Sequence, residues 1–451
     1  MAHPPDTIAA LATPTGTSAL AVIRISGPDT ARLARELCGA ALPPRTAHRT
    51  DYRDRDGVLV DDVLATFFRA PASYTSEDSL EISCHGNPFI AQRILTDLLA
   101  RGCRSAGPGE FTQRAFLHGR LDLSQAEAVM DLIHARSERA LAAANQQLRG
   151  ALGRHMAVLV DGLLGVLARI EAYIDFPEED LPAEDRARVQ TEIARLSLET
   201  DRLLATNRYG DVLREGLKTV ILGLPNAGKS MLLNRLLGHE RALVSPEPGT
   251  TRDYLEERIV IGPHSLRLID TAGLNPSPAP LEQRGIALSL ERAQEADLIL
   301  LVFDASQPAP TFPPEIMGQL TPERTLVVAN KADLPALSEN YKQFKQFELV
   351  IISALTGEGI ESLREALVRR AEALAVSVGD DLIAINARHA DTLARAKASL
   401  SAAAAKLEAN EASELVASEL REALNAYGEI AGKIDHERML DHLFSSFCIG
   451  K

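Results

Sequence analysis

Residues 223–230 read GLPNAGKS, and this stretch decides the fold of the region around it. It satisfies the pattern G-x-x-x-x-G-K-[ST] between an apolar run, KTVIL (218–222), and a helix-like run, MLLNRLLG (231–238). In such a loop, glycines let successive backbone N–H groups face phosphate oxygens. The Lys229 ammonium then reaches the β and γ phosphates, and the Ser230 hydroxyl binds Mg²⁺. The stretch therefore predicts a strand–loop–helix unit that binds a nucleotide.

Apolar runs follow this loop along the chain. LRLID (266–270), DLILLVFD (297–304), RTLVVANKAD (324–333) and ELVIISAL (348–355) are such runs. They are typical of strands that are buried on both faces of a largely parallel sheet. Residues 213–378 are therefore expected to form an α/β P-loop domain of the Ras-like kind.

Two motifs at the ends of these runs indicate which nucleotide is bound. Asp270 in LIDTAG can hold a water of the magnesium shell, and the Gly273 N–H can sense the γ-phosphate. Asp333 in NKAD can accept hydrogen bonds from the ring N–H and the exocyclic amine of guanine, whereas adenine would leave this carboxylate unpaired. SAL (353–355) falls where such proteins carry a loop beside the guanine. The predicted nucleotide is GTP and not ATP.

The water-activating group is harder to identify from these residues. Thr251 in PGTTRD is well placed to complete the magnesium shell when the γ-phosphate is present. Leu274 stands directly after DTAG, where Ras-like enzymes place a glutamine, so either hydrolysis is vestigial or another residue orients the water. Glu282 lies on the proline-rich segment that follows. By itself it fits an acid at a helix N-terminus better than a catalytic carboxylate.

Composition limits the possible function classes. The chain has 451 residues, 45% of them hydrophobic, and a net charge of −14. This acidic balance argues against nucleic-acid binding through the overall field, although a local basic patch stays possible. The four cysteines show no metal-ligand spacing, and neither a secretory leader nor a membrane-spanning run is visible. These features favour a cytoplasmic protein with free thiols.

The flanks of the P-loop domain differ from each other. Residues 1–119 mix strand-like and helix-like pieces, as in a compact α+β domain. Residues 120–212 and 379–451 are helical in character, and Ser124 with Glu127 has the spacing of a capping box. Neither helical flank can bury its apolar stripe alone, so the two are expected to pack together as one discontinuous helical domain interrupted by residues 213–378.

Several longer motifs carry a resemblance over the whole chain: PNAGKS, GTTRD, DTAGL, FLHGRLDLSQAEAVMDLI (116–133), DFPEED (175–180) and the terminal FSSFCIGK (444–451). With them the chain resembles the MnmE (TrmE) family of tRNA-modification GTPases in the TrmE-Era-EngA-YihA-Septin-like superfamily. The resemblance implies a multidomain fold. It consists of an α+β N-terminal domain for folate binding and dimerisation, a discontinuous helical domain, and an inserted α/β Ras-like G domain.

The same resemblance implies a set of site residues in the G domain. Magnesium would be held by Ser230 and Thr251, and potassium, in place of an arginine finger, by Asn226, Ser245, Glu247 and Thr250. Glu282 becomes the water-orienting glutamate. The GTP-binding residues implied are Asn226, Ala227, Gly228, Lys229, Ser230, Met231, Ser245, Pro246, Glu247, Pro248, Gly249, Thr250, Thr251, Asp270, Thr271, Ala272, Gly273, Asn330, Lys331, Ala332, Asp333, Ser353, Ala354 and Leu355.

In the N-terminal domain, the resemblance implies a site for a 5-formyl- or methylene-tetrahydrofolate at Arg24, Glu81, Arg120 and Lys451. A carboxylate can accept from the pterin donors, and cations can pair with the anionic tail. Taken singly, each residue fits an exposed charge beside a strand or helix better than a ligand contact. The family usually has Lys where Arg120 stands and HGG where this chain has HGN around Gly86, so the individual contacts are less firmly implied than the family.

The activity implied is a potassium-stimulated GTPase acting on certain tRNAs. A homodimer would join a FAD-containing partner, MnmG, in a heterotetramer, and the two would add an aminomethyl or carboxymethylaminomethyl group to C5 of the wobble uridine. The folate supplies the carbon, and ammonium or glycine the nitrogen. This chain has no G-x-G-x-x-G after a strand, so FAD is assigned to the partner.

Two alternatives compete with this interpretation. An RNA-checking ribosome-assembly GTPase usually has a basic GxxG loop, but the GxxG strings at 150–153 and 162–165 are apolar. A lipid-tethered switch would use Cys448, yet CIGK has Gly450 at an aliphatic position and no polybasic segment before it. The family resemblance instead brings the tail to the folate pocket. Whether the Cys448 thiol is catalytic or only shapes that pocket stays open.

Overall fold

The computed structural model describes residues 6–175, 183–240, 256–270, 290–308, 310–312, 314–335, 343–376 and 383–430, together with residues 432, 447 and 450. The chain forms two compact units. The first unit contains Met1–Met130, Leu148–Asp161 and Leu424–Lys451, and the second contains Asp131–Gln147 and Gly162–Ala423.

The first unit contains a six-stranded sheet in the order β3-β4-β5-β2-β1-β6. All neighbouring strands are antiparallel except β1 and β6, which are parallel. One face carries the core, which packs against helices α1 and α2. The strands are β1 (Ile8–Leu11), β2 (Leu20–Ser26), β3 (Ala47–Arg53), β4 (Leu59–Phe68), β5 (Ser79–His85) and β6 (Arg104–Ser105). The helices before residue 120 are α1 (Thr30–Cys38), α2 (Pro88–Ala100) and α3 (Glu110–Leu117).

The helical run that begins near residue 123 differs from the prediction in two ways. Helix α4 (Leu123–His134) begins earlier than expected, because Asp122 is its cap: its Oδ1 accepts from the Gln125 N–H at 2.8 Å, and Gln125 Oε1 accepts from the Asp122 N–H at 2.9 Å. The reciprocal pair is therefore Asp122 and Gln125, and the prediction of Ser124 and Glu127 was wrong. The run also breaks before α5 (Glu138–Leu148), where the Ser137 hydroxyl accepts from the Ala140 N–H.

The second unit contains another six-stranded sheet, in the order β12-β11-β10-β7-β9-β8. All strands are parallel except β8, which pairs antiparallel with β9. This mixed layout confirms the predicted P-loop α/β fold, although the edge strand β8 was not predicted. The strands are β7 (Leu217–Gly223), β8 (Glu256–Ile261), β9 (His264–Asp270), β10 (Leu298–Asp304), β11 (Thr325–Asn330) and β12 (Glu348–Ile351).

The remaining helices fall into two groups: those within the G domain and those in the segments that flank it. Those within the G domain are α9 (Lys229–Glu240), the short α10 (Pro314–Met317) and α11 (Ile360–Val376). The flanking helices are α6 (Ala151–Asp175), α7 (Ala183–Ala205), α8 (Asn207–Glu215), α12 (Ala387–Glu408) and α13 (Ser413–Ile430).

The segments before and after the G domain meet in the second unit. Helix α7 packs along α12, and the Lys397 ammonium pairs with Asp201 across this contact. The Thr206 hydroxyl also donates to the Ile383 carbonyl at 2.9 Å. These contacts bring together the two flanks, as their separate apolar stripes require.

Candidate functional site

The parallel strands of the second unit place several polar residues at one edge of the sheet. In register, Gly223 lies beside Val302, Asp304 beside Asn330, and Asp270 beside Ile221. Because parallel strands all end on the same side, this edge collects the carboxyl ends of β7, β9, β10 and β11. The loops that follow these strands therefore surround a common crevice.

The loop after β7 has the backbone shape that phosphate binding needs. Asn226 adopts a left-handed conformation with φ +63°, and Gly228 has φ +90°. A Cβ on Gly228 would come within 2.2 Å of Asn330 Nδ2, so only glycine fits there. The buried Lys229 donates from Nζ to the carbonyls of Gly223 and Leu224, each at 3.0 Å. This loop leads directly into the N-terminus of α9, where backbone N–H groups face outward.

The NKAD motif is joined to the phosphate loop through Asn330, which is 2% exposed. Its Nδ2 donates to the Ala227 carbonyl at 2.8 Å, and its Oδ1 accepts from the Ala354 N–H at 2.9 Å. The Ser353 hydroxyl donates to Asp333 Oδ1 at 2.5 Å, and the Ala332 N–H donates to Ile352 O at 3.0 Å. Asn330 therefore holds the phosphate loop and the SAL segment in a fixed relation.

Lys331 has a partner that the sequence motifs did not identify. It adopts φ +67°, and its Nζ contacts Asp304 Oδ2 at 2.7 Å. Burial alone raises the pKa of Asp304, but hydrogen bonds from Lys331 and Ser306 outweigh burial and hold that pKa below its ordinary value. Asp304 is thus a charged side chain at the strand end that orients Lys331. In the sequence, the position of Asp304 at the end of the apolar run of β10 was the signal that could have identified this residue.

In the first unit, Arg24 and Glu81 lie directly opposite each other on β2 and β5. Arg24 donates to Glu81 Oε1 from Nε at 3.0 Å and from Nη2 at 2.9 Å. The guanidinium carbon also lies 5.2 Å from the ring centre of Tyr74 and 5.7 Å from that of Phe111. Arg24 is therefore fixed by a charge and by two aromatic rings.

Tyr74 lies beside Arg24 and contacts helix α3 through its hydroxyl. Its hydroxyl and that of Thr112 on α3 are 2.9 Å apart. Burial raises the pKa of the Tyr74 phenol, and the positive charges of Arg24 and Arg120 oppose this rise. Arg120 itself is exposed and follows α3. The structure thus brings two of the predicted folate residues, Arg24 and Glu81, into direct contact beside Tyr74, and a role of Arg120 stays a prediction.

The segment that carries Tyr74 is held by a buried ionic network. Arg114, whose side chain is 8% exposed, donates to Glu77 at 3.1 Å and to Asp6 and Glu110 at 2.6 and 3.0 Å. A buried cation is stable only when it is paired in this way. The network therefore supports the position of the β4–β5 connection.

The described part of the C-terminal tail also lies in the first unit. Phe447 packs with Leu123 and Ala126, and the Gly450 carbonyl accepts from Arg24 Nη1 at 3.4 Å. Gly450 has φ +98°, and a Cβ there would lie 2.2 Å from the Leu11 carbonyl oxygen. Only glycine allows this close approach between the chain end and β1.

Several predicted residues lie outside the described part of the chain: Ser245, Pro246, Glu247, Pro248, Gly249, Thr250, Thr251, Thr271, Ala272, Gly273, Glu282, Cys448 and Lys451. Their roles stay predictions. Asp270 is described as the end of β9, and Met231 lies on α9 with 47% of its surface exposed.

The sequence also predicted free thiols and no membrane-spanning segment. Burial raises the pKa of Cys84 and of Cys103 to about 11, so neither thiol is activated. In the described residues no helix is both long enough and apolar enough to span a bilayer.

Comparison with known proteins gives consistent matches along the chain. The family model described as MnmE helical domain matches residues 123–448, and that described as GTP-binding protein TrmE N-terminus matches residues 7–120. A tRNA modification GTPase MnmE from Opitutus terrae is 59% identical over 449 residues, which are 99% of both chains. The proteins of the same name from Akkermansia muciniphila and Chlorobium chlorochromatii are 45% and 40% identical. The first of these alignments covers 100% of both chains, and the second covers 99% of this chain and 98% of the relative.

Proposed function

This chain belongs to the MnmE family of tRNA modification GTPases, and we propose that it couples GTP hydrolysis to modification of C5 of the wobble uridine in certain tRNAs. The group added is an aminomethyl or carboxymethylaminomethyl group, built with a FAD-containing partner of the MnmG type. GTP binding is supported by the phosphate loop and by Asn330, which connects that loop to the base motif.

For hydrolysis we propose a potassium ion in place of an arginine finger. The left-handed backbone conformation of Asn226 supports a potassium site. At this turn of the phosphate loop, the side-chain oxygen of Asn226 can point toward the β- and γ-phosphates. Ser245, Glu247 and Thr250 are the further ligands proposed. Mg²⁺ would be held by the Ser230 and Thr251 hydroxyls. Glu282 is proposed to orient the attacking water.

For the carbon donor we propose a tetrahydrofolate held by Arg24, Glu81, Arg120 and Lys451. The chemistry of the residues fits: a carboxylate can accept from the pterin donors, and cations can pair with the anionic tail. When bound, the folate supplies the one-carbon unit. The residues of this chain bind and orient it, and Cys448 is proposed to complete the pocket, as a catalytic thiol or as a wall.

We further propose that the chain acts as a homodimer through its N-terminal sheet. The face opposite the core exposes Leu20 on β2 and Leu64 on β4, which are 63% and 47% exposed. Arg24 and Glu81 share this face, because side chains of paired residues point to the same side of a sheet. A second copy is the occupant proposed. Two such chains with two MnmG subunits would give the heterotetramer.

One observation carries the proposed modification activity: Arg24 contacts both Glu81 and the Gly450 carbonyl. Residues near both ends of the chain thus meet at one cation, in the unit that does not contain the phosphate loop. A fixed cation and carboxylate in this unit fit the binding of a polar carbon donor, which GTP hydrolysis alone does not require.

The test is mass spectrometry of wobble uridines from cells that lack this protein. We expect loss of the C5 aminomethyl-type nucleosides, with recovery when the wild-type chain is restored. A matched strain would carry Glu81→Gln, which preserves side-chain size and removes the carboxylate charge. Unchanged nucleosides in the deletion strain would disprove the modification activity regardless of GTPase measurements.

A further inference from the structure

Arg235 lies on α9, five residues after Ser230 at the end of the phosphate loop, and its side chain extends to the SAL segment. Its Nε donates to the Ala354 carbonyl at 3.2 Å, and its Nη2 donates to the Leu355 carbonyl. A Cβ on Gly357 would lie 3.5 Å from Arg235 Cζ, so the guanidinium packs over this glycine. The planar group therefore spans two successive peptide carbonyls with two of its five donors.

The same segment is held from its other side. The Ala354 N–H is occupied by Asn330 Oδ1, and the Ser353 hydroxyl is occupied by Asp333. The next backbone donor is the Leu355 N–H, and among the described residues it has no hydrogen-bond acceptor. This N–H belongs to the same planar peptide unit as the Ala354 carbonyl, so the direction of that carbonyl fixes the direction of the N–H. The carbonyls of both Ala354 and Leu355 are bound by Arg235.

We propose that Arg235 is a positioning residue for guanine recognition: it orients the Leu355 N–H to donate to the O6 oxygen of the base. The inference rests on the GTP-binding part of the proposed function. The chemistry requires such a donor, because Asp333 accepts only from the N1–H and the 2-amino group and leaves O6 unsatisfied. Without Arg235, the two peptide units lose their shared partner and the donor loses its direction.

The test uses the full chain and three nucleotides that distinguish the contribution of O6 to binding from that of the 2-amino group. GDP has both groups, IDP retains O6 but lacks the amine, and 6-thio-GDP replaces O6 with sulfur, a weaker acceptor. Dissociation constants would be measured by competition with fluorescent mant-GDP for wild type, Arg235→Ala and Arg235→Lys. Arg369→Ala is the matched control, because Arg369 is an exposed G-domain arginine that pairs with Glu348, away from the SAL segment.

In Arg235→Ala we expect GDP and IDP to bind about tenfold more weakly, equivalent to about 1.4 kcal/mol. The ratio of GDP to IDP affinity should not change, because Asp333 still recognises the amine. The preference for GDP over 6-thio-GDP should shrink, since the variant has already lost the O6 contact. Arg235→Lys retains the positive charge but not the planar fork that reaches both carbonyls, so its affinities should fall between those of wild type and Arg235→Ala. Arg369→Ala should match wild type. GTP turnover should show a raised KM with kcat unchanged.

The inference is overturned if Arg235→Ala binds GDP within twofold of wild type. It is also overturned if all three nucleotides weaken by the same factor, which indicates general loosening of the domain. If the alanine variant does not fold, the same comparison in Arg235→Lys decides. Failure of the wild-type chain to bind GDP would instead refute the GTP-binding part of the proposed function.

Discussion

Replacing Gly450 by alanine tests whether docking of the chain end is needed to complete the proposed folate pocket. The new Cβ would lie 2.2 Å from the Leu11 carbonyl oxygen and 2.9 Å from Ala12 Cα, both of them backbone atoms. Even the shortest tolerable contact of about 3.0 Å requires a shift of about 0.8 Å at Leu11, since 3.0 − 2.2 = 0.8. The 3.4 Å hydrogen bond between Arg24 and the Gly450 carbonyl cannot survive such a shift.

The magnitude follows from strain and contact together. A non-glycine residue at φ +98° costs about 1–3 kcal/mol, and the backbone clash adds to this cost. A total of about 3 kcal/mol shifts the docking equilibrium of the tail by roughly a hundredfold. Binding of 5-formyl-tetrahydrofolate should weaken in proportion, while GTP hydrolysis, performed by the other unit, should keep its kcat and KM.

Isothermal titration calorimetry with 5-formyl-tetrahydrofolate measures the first quantity, and a phosphate-release assay measures the second. Gly39→Ala is the matched control, because Gly39 has φ +70° and an added Cβ would have no neighbouring atom within 4 Å. The Gly39→Ala variant has backbone strain without a steric clash, so it should bind 5-formyl-tetrahydrofolate with the affinity of wild type. Wild-type donor affinity in Gly450→Ala would refute the reasoning that the docked tail builds the pocket.

Three further predictions concern charged and polar side chains. Glu81→Gln leaves Arg24 without its paired charge and should weaken 5-formyl-tetrahydrofolate binding about tenfold in calorimetry; an unchanged affinity would remove Glu81 from the site. Asp304→Asn releases Lys331 and should raise the KM for GTP about threefold to tenfold. Folding lowers the pKa of Asp304, so the ionised carboxylate stabilises the folded state. This stabilisation is complete at pH values above the pKa of Asp304 in the unfolded chain, and it is lost as the pH falls through the lower pKa of the folded chain. Thermal melts of wild type and Asp304→Asn should therefore converge in acid, and a constant difference would contradict this. Asn226→Ala should abolish the excess of GTPase rate in K⁺ over Na⁺, and retention of that excess would exclude Asn226 as a potassium ligand.

Local chemistry made the G domain predictable. GLPNAGKS, LIDTAG and NKAD each place a polar group next to an apolar strand, and the strand ends must converge in a parallel sheet. The same kind of signal predicted a mixture of strands and helices in residues 1–119, and the described part of that segment contains both. The failures were also local. Asp122 caps α4 in place of Ser124, because both residues suit a helix N-terminus and only the observed start of α4 distinguishes them.

Pairings over long sequence separations could not be predicted in this way. Arg24 and Glu81 are 57 residues apart, and their contact depends on the register between β2 and β5. The Arg24–Gly450 contact spans 426 residues. By local pattern alone, Arg24 and Glu81 do not differ from ordinary surface charges, nor Gly450 from a terminal glycine, so only the family resemblance indicated that Arg24, Glu81 and the tail share a site.

The amino-acid sequence alone determined that this chain binds a guanine nucleotide and has helical segments on both sides of the binding domain. Those properties reside in short motifs, whose residues are neighbours in the chain and carry their chemistry with them. Only the tertiary structure decided that Asp304 orients Lys331, that Arg235 holds the loop of Ala354 and Leu355, and that the Gly450 carbonyl is the group of the tail that accepts from Arg24. The physical reason is that an ion pair or a close backbone contact depends on distance in space, which packing sets and sequence spacing does not.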